Sequence, residues 1–496
     1  MAQFDYDIGI IGGGAAGLTV ASGAAQLGAK TLLIEREHAL GGDCLHYGCV
    51  PSKTLIKSAR VYHAIKHASL YGLPSVDVPP VDFRKIADRI RSVVATIQVH
   101  DSVERFCALG AKVEFGEAHF RDAHTVRIEG HSRSAKTWVI ATGSSPIVPP
   151  IEGLRETGHL TNREIFYMDK LPSSMIVLGG GPIGIEMAQA FARLGSAVTV
   201  VDMAPQILGK EDKDMAEAVM AVLENEGIRF HLNATVVGVR EENGRKVVSI
   251  KPSEGSPEAL NAEAVLVAIG RTPNVNGLGL EAIGVDFDRG GIKVDNRMRT
   301  SRKHIFAAGD INGGYQFTHA AGYEGGIVIA NAVFRLPRKA DYTHLPWCTY
   351  TDPELASIGM NEKAAQTAGI DYTVWTEAFK NNDRSLAEEE RTGQLKMLLD
   401  EKEKPIGIQI LGLHAGDLIS EWVAVLNAKT KLSTLASAVH PYPTLGEINK
   451  RVAGNVLAPK IFSERMRKGL KLFFNLKGRA CSLEQDKCLQ DCDLKD

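Results

Sequence analysis

Residues Asp7–Glu35 read DIGIIGGGAAGLTVASGAAQLGAKTLLIE: an apolar run, a glycine turn, a stretch of small residues and a second apolar run ending on an acid. Short apolar runs bounded by glycine predict strands, and the longer small-residue segment between them predicts a helix. Met175–Asp202, MIVLGGGPIGIEMAQAFARLGSAVTVVD, repeats the same order. Gly12, Gly14, Gly17 and Glu35 fall on Gly179, Gly181, Gly184 and Asp202 at one constant offset of 167 residues. A repeat of that length is domain-sized, so it predicts two nucleotide-binding domains and not a solenoid.

Such a turn uses its first glycine to bend, its second to let a pyrophosphate approach the backbone, and its third to pack helix on strand. The helix N-terminus then faces the phosphates, and the acid closing the second strand accepts from ribose hydroxyls. One such turn alone is weak evidence, but two with strand, helix and acid in place predict two dinucleotides. Asp202 is followed by Met203-Ala204-Pro205-Gln206, with no cation to receive a 2′-phosphate. The second site is therefore expected to prefer NADH to NADPH.

Each unit is followed by a further apolar strand ending on glycine, Trp138–Gly143 and Ala264–Gly270, and His304–Asp310 reads HIFAAGD. This order predicts a first dinucleotide domain over residues 1–150 that is interrupted by a second over 151–270 and resumes over 271–341. Strands at Trp347–Ile358, Leu395–Leu399 and Ile406–Leu413, followed by helices, predict an α+β domain over 342–465. Residues 466–496 form a tail.

The chain has 496 residues, enough for roughly three domains. A net charge of −2 gives no bulk reason to expect nucleic acid as a partner. No apolar run approaches the ~20 residues that span a bilayer. The strand expected at Asp7–Ile11 leaves no room ahead of it for a signal peptide. Seven unevenly spaced cysteines do not describe a secreted disulfide scaffold, so the cytoplasm is the expected compartment.

Gly41–Lys53 reads GGDCLHYGCVPSK. In a regular helix Cys44 and Cys49 would stand roughly 140° apart, so they meet only if the helix is distorted, which Gly48 permits. Pro51 suits a first helical turn, placing Cys49 near a helix N-terminus that stabilises a thiolate. Zinc would need four ligands, and no second cysteine or histidine pair follows at a suitable spacing. No metal site is predicted. The alternative of inert buried cysteines is weaker in a glycine-flanked loop, and a redox pair is expected. Because it follows the first unit directly, that unit should hold FAD and the second the nicotinamide nucleotide.

Over about residues 5–465 the chain resembles the class I pyridine nucleotide-disulfide oxidoreductases, through GGDCLHYGCVPSK, HIFAAGD and TYTDPELASIG (Thr349–Gly359). The resemblance implies an α/β fold with two Rossmann-like dinucleotide-binding domains and a C-terminal α+β dimerisation domain. It also implies a homodimer with an active site shared between subunits. Cys44 is then the substrate-attacking thiol and Cys49 the thiol beside the flavin. Asp310 is then the ribityl contact, with Lys53 and Glu186 an ion pair near the flavin ring. Gly143 and Gly270 count among the cofactor-contacting glycines.

Dithiol-using members carry His-Pro-Thr with a glutamate five residues after the histidine. Here the run is His440-Pro441-Tyr442-Pro443-Thr444-Leu445-Gly446-Glu447, which puts Tyr442 at the base position. With a reference pKa near 10, tyrosine is a poor base at neutral pH. His440 substitutes only if the backbone turns it inward. The mercuric reductase-like branch is similar here, which implies reduction of a thiol-bound metal ion or a disulfide; the alternative is NAD-linked dihydrolipoamide dehydrogenase. That branch's vicinal C-terminal cysteine pair is missing, and Cys481, Cys488 and Cys492 have another spacing.

Lys460–Arg479 holds seven Lys/Arg against Glu464 alone, with Phe462, Met466, Leu470 and Phe473 at helical spacing. Packing against the protein's own body is the expectation and a membrane-surface helix the alternative. The latter allows a third reading, a redox-sensing or membrane-recruited binding protein. Cys107 and Cys348 are expected in the core.

Overall fold

The computed structural model describes residues 4–478. In the first unit the parallel strands run Ala111–Phe115, Thr31–Glu35, Tyr6–Ile11 and His131–Ile140, in that spatial order. In the second they run Arg229–His231, Ala197–Val201, Ser174–Leu178 and Ala264–Val267. The two sheets thus repeat the sequence repeat strand for strand. Each carries a three-stranded antiparallel extension as well.

Both parallel cores are Val-, Ile- and Leu-rich because both faces are covered, one by helices and the other by the antiparallel strands. Ile305–Ala307 returns after the second unit to pair with Trp138–Ile140 of the first sheet. The two crossings between units lie side by side, Ser144–Pro146 pairing antiparallel with Arg271–Pro273.

The C-terminal unit is a five-stranded antiparallel sheet covered by the Ala415–Asn427 and Glu447–Ile461 helices. Its start differs from the single strand expected over Trp347–Ile358. Pro346–Thr349 and Glu354–Gly359 form a hairpin instead. Pro353 has no N–H to continue a ladder, and the chain turns there. The turn delivers Tyr350 towards the second unit.

Two further expectations are corrected. Cys107 is exposed in a short helix, and Cys348 is only partly buried, lining the central cavity described below. The Glu464–Phe474 helix buries none of its residues against the described structure, so its apolar face does not pack on the protein's own body. Cys481, Cys488 and Cys492 lie outside the described residues.

Candidate active site

The two cysteines sit on separate helices, Gly42–His46 and Cys49–Lys66, broken at Tyr47-Gly48. The distortion expected between them is thus a complete break. A Cβ on Gly48 would lie 2.9 Å from the Asp43 carbonyl oxygen, so only glycine lets the chain double back this tightly. The break sets the two thiols close enough for each to shift the other's ionisation and makes Cys49 the first residue of its helix. The Cys44 thiol bonding to it pulls the Cys49 thiol below its ordinary range, helped by Thr318 and the Lys53 charge against the opposing effect of burial. Cys44 is pushed up, by that same bond to Cys49 and by burial. One thiolate at Cys49 and one protonated thiol at Cys44 is the resulting division.

The Thr318 hydroxyl lies 3.3 Å from Cys49 Sγ, from a segment 269 residues away in sequence. Lys53 lies one helical turn beyond Cys49 and donates to Glu186 Oε2 at 2.7 Å. The other oxygen of Glu186 accepts the Tyr350 backbone N–H at 2.9 Å. The Lys53 ammonium also stands 4.3 Å from the centre of the Tyr350 ring, a cation–π contact.

These groups open onto a cavity of about 590 Å³. Gly12, Gly14, Glu35, Cys44, Cys49, Lys53, Gly143, Glu186 and Asp310 all line it. Gly12 has φ +109°, and a Cβ there would meet Ala141 O at 2.2 Å. A Cβ on Gly14 would meet only Gly42 Cα, at 3.9 Å, leaving room beside the turn, whereas Gly17 packs directly on Gly12 O. Glu35 braces the turn by accepting the N–H of Gly13 (2.6 Å) and of Glu37 (2.8 Å). Asp310 accepts from the Ser144 hydroxyl at 2.6 Å. Arg271 donates to the same hydroxyl and pairs with Asp43 at 3.1 Å, linking the cysteine loop to both inter-unit crossings.

The second turn reproduces the first. Gly179 has φ +112° and Gly184 packs on Gly179 O, while nothing lies within 4 Å of a Cβ placed on Gly181. Asp202 accepts from the backbone of Gly180 and Ala204, the counterparts of Gly13 and Glu37. Gly179, Gly181, Gly184, Asp202 and Gly270 do not line the cavity, but the helix following this turn does, through Pro182, Ile183, Glu186 and Met187.

Residues 6–325 match the family described as pyridine nucleotide-disulphide oxidoreductase, and 345–453 match its dimerisation domain. The chain belongs to the class I pyridine nucleotide-disulfide oxidoreductases. Dihydrolipoyl dehydrogenase of Geobacillus stearothermophilus is 37% identical over 465 residues, covering 91% of this chain and 96% of that one. Mercuric reductase of Lysinibacillus sphaericus is 34% identical over 447 residues, covering 89% and 81%. A solved structure, the Cu(II) complex of the HOCl-induced flavoprotein disulfide reductase RclA from Escherichia coli, has a TM-score of 0.82. It is 28% identical and covers 90% of this chain and 100% of that one. The two functional branches match almost equally, so overall identity does not choose between them.

As a member of this family the disulfide oxidoreductase uses FAD and NAD(P)H and forms a homodimer through its C-terminal unit. The open space beside Gly14, with Glu35 behind the turn and Asp310 further along the same cavity, fits an elongated dinucleotide.

The C-terminal run does not reach this cavity in its own subunit. Among the described residues His440, Tyr442 and Glu447 are absent from the lining. His440 is turned into its own domain, Nε2 lying 3.0 Å from Glu421 Oε1 and Nδ1 3.4 Å from Ala438 O. Tyr442 is exposed and donates to Asp383 Oδ2 at 2.8 Å, which holds its phenol protonated to higher pH than usual. Glu447 opens the Glu447–Ile461 helix.

Thr318, Tyr350 and Arg271 were not legible as site residues. TYTDPE contains Tyr350 and GRTP contains Arg271, but only the folded chain brings them to the cysteines. Thr318→Val is expected to raise the pH midpoint for alkylation of Cys49 in the reduced enzyme by roughly one unit, since a bond to a charged acceptor is removed. Peptide mass spectrometry after timed iodoacetamide treatment checks this. By the same linkage, stability from the Cys49 thiolate is present above the unfolded thiol's pKa and is lost as pH falls through the lowered folded value.

Proposed function

We propose that this oxidoreductase takes electrons from NADH and delivers them through Cys44 and Cys49 to a thiol-bound soft metal ion such as Hg(II), or to a disulfide. The observation that carries the reading is the C-terminal run. The group at the base position is Tyr442, held protonated by Asp383, while both nitrogens of His440 are engaged within its own domain. Oxidation of a dithiol needs a group that removes a thiol proton, and a protonated phenol does not do so at neutral pH. A phenol oxygen can still assist a metal held by thiolates. The Cu(II) complex of the structural neighbour is in keeping with a transition-metal acceptor.

Gly12, Gly14, Gly17, Glu35, Gly143 and Asp310 would hold FAD, and Gly179, Gly181, Gly184, Asp202 and Gly270 the nicotinamide nucleotide. FAD bound there would relay electrons between the nicotinamide and the cysteine pair. Lys53 places a positive charge on the cavity wall, and its bond to Glu186 orients it.

Towards a disulfide acceptor, Cys44 passes its proton to the Cys49 thiolate and attacks one sulfur, and the departing thiolate takes that proton from Cys49. Cys49 then attacks the Cys44 sulfur, releasing the second product thiolate and re-forming the internal disulfide. Two electrons leave the cysteine pair and two sulfurs are reduced. Tyr442 and Glu447 would reach the cysteines of the partner subunit.

One observation favours NAD-linked dihydrolipoamide oxidation instead, the carboxylate of Asp202 with no cation after it, which fits NAD better than NADP. Side-by-side assays of FAD-loaded protein decide the matter, with NADH-driven reduction of thiol-bound Hg(II) set against NAD reduction by dihydrolipoamide. Fast dihydrolipoamide turnover with negligible mercury turnover would overturn the tyrosine-based reading.

Asp202 carries the nucleotide preference. A carboxylate at the ribose edge repels a 2′-phosphate, so kcat/KM for NADPH is expected at least about tenfold below that for NADH. Asp202→Ser should narrow the ratio, chiefly by improving NADPH. Equal use of both nucleotides by the unaltered enzyme would remove Asp202 from this role.

A further inference from the structure

The Glu464–Phe474 helix stands off the molecule with a two-sided surface. Met466, Leu470 and Phe473 follow at i, i+4 and i+7 on one face, with Phe462 and Phe474 beside them. Phe462, Phe473 and Phe474 are 71%, 80% and 69% exposed, and none of the helix's residues is buried. Arg467 and Lys471 border the apolar face on one side and Arg465 on the other. Glu464 and Lys468 pair at 2.8 Å on the opposite side, and Leu472 is the one apolar residue off the face. Four cations against one acid stand out in a chain whose net charge is −2.

We propose that this helix lies on an anionic membrane surface and recruits the enzyme to it as a peripheral protein. The apolar side chains would enter the headgroup boundary while the flanking cations meet lipid phosphates. Among the described residues no helix is long and apolar enough to cross a membrane, and this one has the exposed apolar face and cationic flanks of an interfacial segment.

Charge complementarity selects this occupant over the others. A two-fold contact made by this helix would set its cations against those of its own copy, and like charges disfavour such an interface. Nucleic acid would satisfy the cations but leave the aromatic face in water. An acidic lipid surface satisfies both faces at once.

Flotation of the FAD-loaded, full-length enzyme with vesicles tests the proposal, using pure phosphatidylcholine and phosphatidylcholine with phosphatidylglycerol. The expected result is binding to the anionic vesicles alone, weakened by salt. Leu470→Glu and the Arg465→Gln/Arg467→Gln/Lys471→Gln triple variant should each weaken it at least about tenfold. Dimer mass and acceptor turnover in solution should stay unchanged, because these side chains are on the surface. Absence of anionic-vesicle binding, equal binding to neutral vesicles, binding retained in both variants, or loss of the dimer in Leu470→Glu would each overturn the proposal. So would retention of the unaltered enzyme by a duplex DNA column with no vesicle binding.

Discussion

Replacing Cys44 by serine is expected to lower acceptor turnover by at least about 10³-fold while leaving FAD bound and NADH-driven dye reduction intact. The substitution is nearly isosteric, and a hydroxyl can still donate to Cys49, so the break at Tyr47-Gly48 and its packing should persist. What is lost is the sulfur proposed to attack the acceptor and to form the internal disulfide. Cys49→Ser should also stop turnover, but the remaining Cys44 thiol, without its bond to Cys49, should titrate nearer an ordinary thiol. Steady-state assays with the acceptor and with a one-electron dye, run on the same preparation, separate these cases. Full acceptor turnover in Cys44→Ser would reverse the assignment of the two sulfurs.

The second large effect is on stability and lies well away from the cysteines. Lys396 is 2% exposed, and its ammonium bonds Asp214 Oδ1 at 2.6 Å, Glu362 Oε1 at 2.7 Å and Asp212 Oδ2 at 3.2 Å. Asp212 and Asp214 belong to the second dinucleotide unit, and Lys396 and Glu362 to the C-terminal unit. The ion cluster therefore fastens one to the other. Three carboxylates this close resemble a cation site, and the lysine is the cation that serves it. Burial acts against the charge on Lys396, but the three acids outweigh it and hold the ammonium above its usual range.

Lys396→Met would leave those carboxylates facing one another, at a cost of about 3–5 kcal/mol. The sign with pH follows from linkage. A lysine whose folded pKa is raised contributes stability that is complete below its unfolded pKa and is lost only as pH rises through the folded one. At neutral pH the unaltered protein therefore has this contribution in full. In Lys396→Met, acid neutralises the carboxylates, so the gap between the two proteins should narrow as pH falls from about 7 to about 5. Thermal unfolding at several pH values checks both the size and the trend. A gap that widens on acidification would mean that the carboxylates are not the source of the instability.

Much of the site was readable because its chemistry is local in sequence. Gly12, Gly14 and Gly17, like Gly179, Gly181 and Gly184, lie within six residues of one another, and what they do depends on the backbone of that short turn. Cys44 and Cys49 are also close, and Gly48 between them signalled the break that separates their helices. The Lys53–Glu186 pair came only from family resemblance, since 133 residues separate the partners. Thr318 gave no signal at all. A threonine at the start of a helix is ordinary until the fold sets it 3.3 Å from a thiol.

The C-terminal run shows the same division. Its composition fixed that a tyrosine, not a histidine, precedes Pro443-Thr444. Whether His440 turned towards the cavity depended on Glu421, which lies on the Ala415–Asn427 helix of the same domain and holds the imidazole there. For the Glu464–Phe474 helix, periodicity revealed an amphipathic segment but not whether the protein covered it.

The amino-acid sequence by itself thus determined the two-unit architecture, the order of strand, turn and helix, and the closeness of the two cysteines proposed as the redox pair. All of these follow from backbone conformation and short-range hydrophobic periodicity. Tertiary structure alone decided how Thr318 meets Cys49, how Lys53 is held, where His440 points and how Lys396 joins two units. Those outcomes depend on desolvation and on charges brought together across the chain, and both act through distance in space.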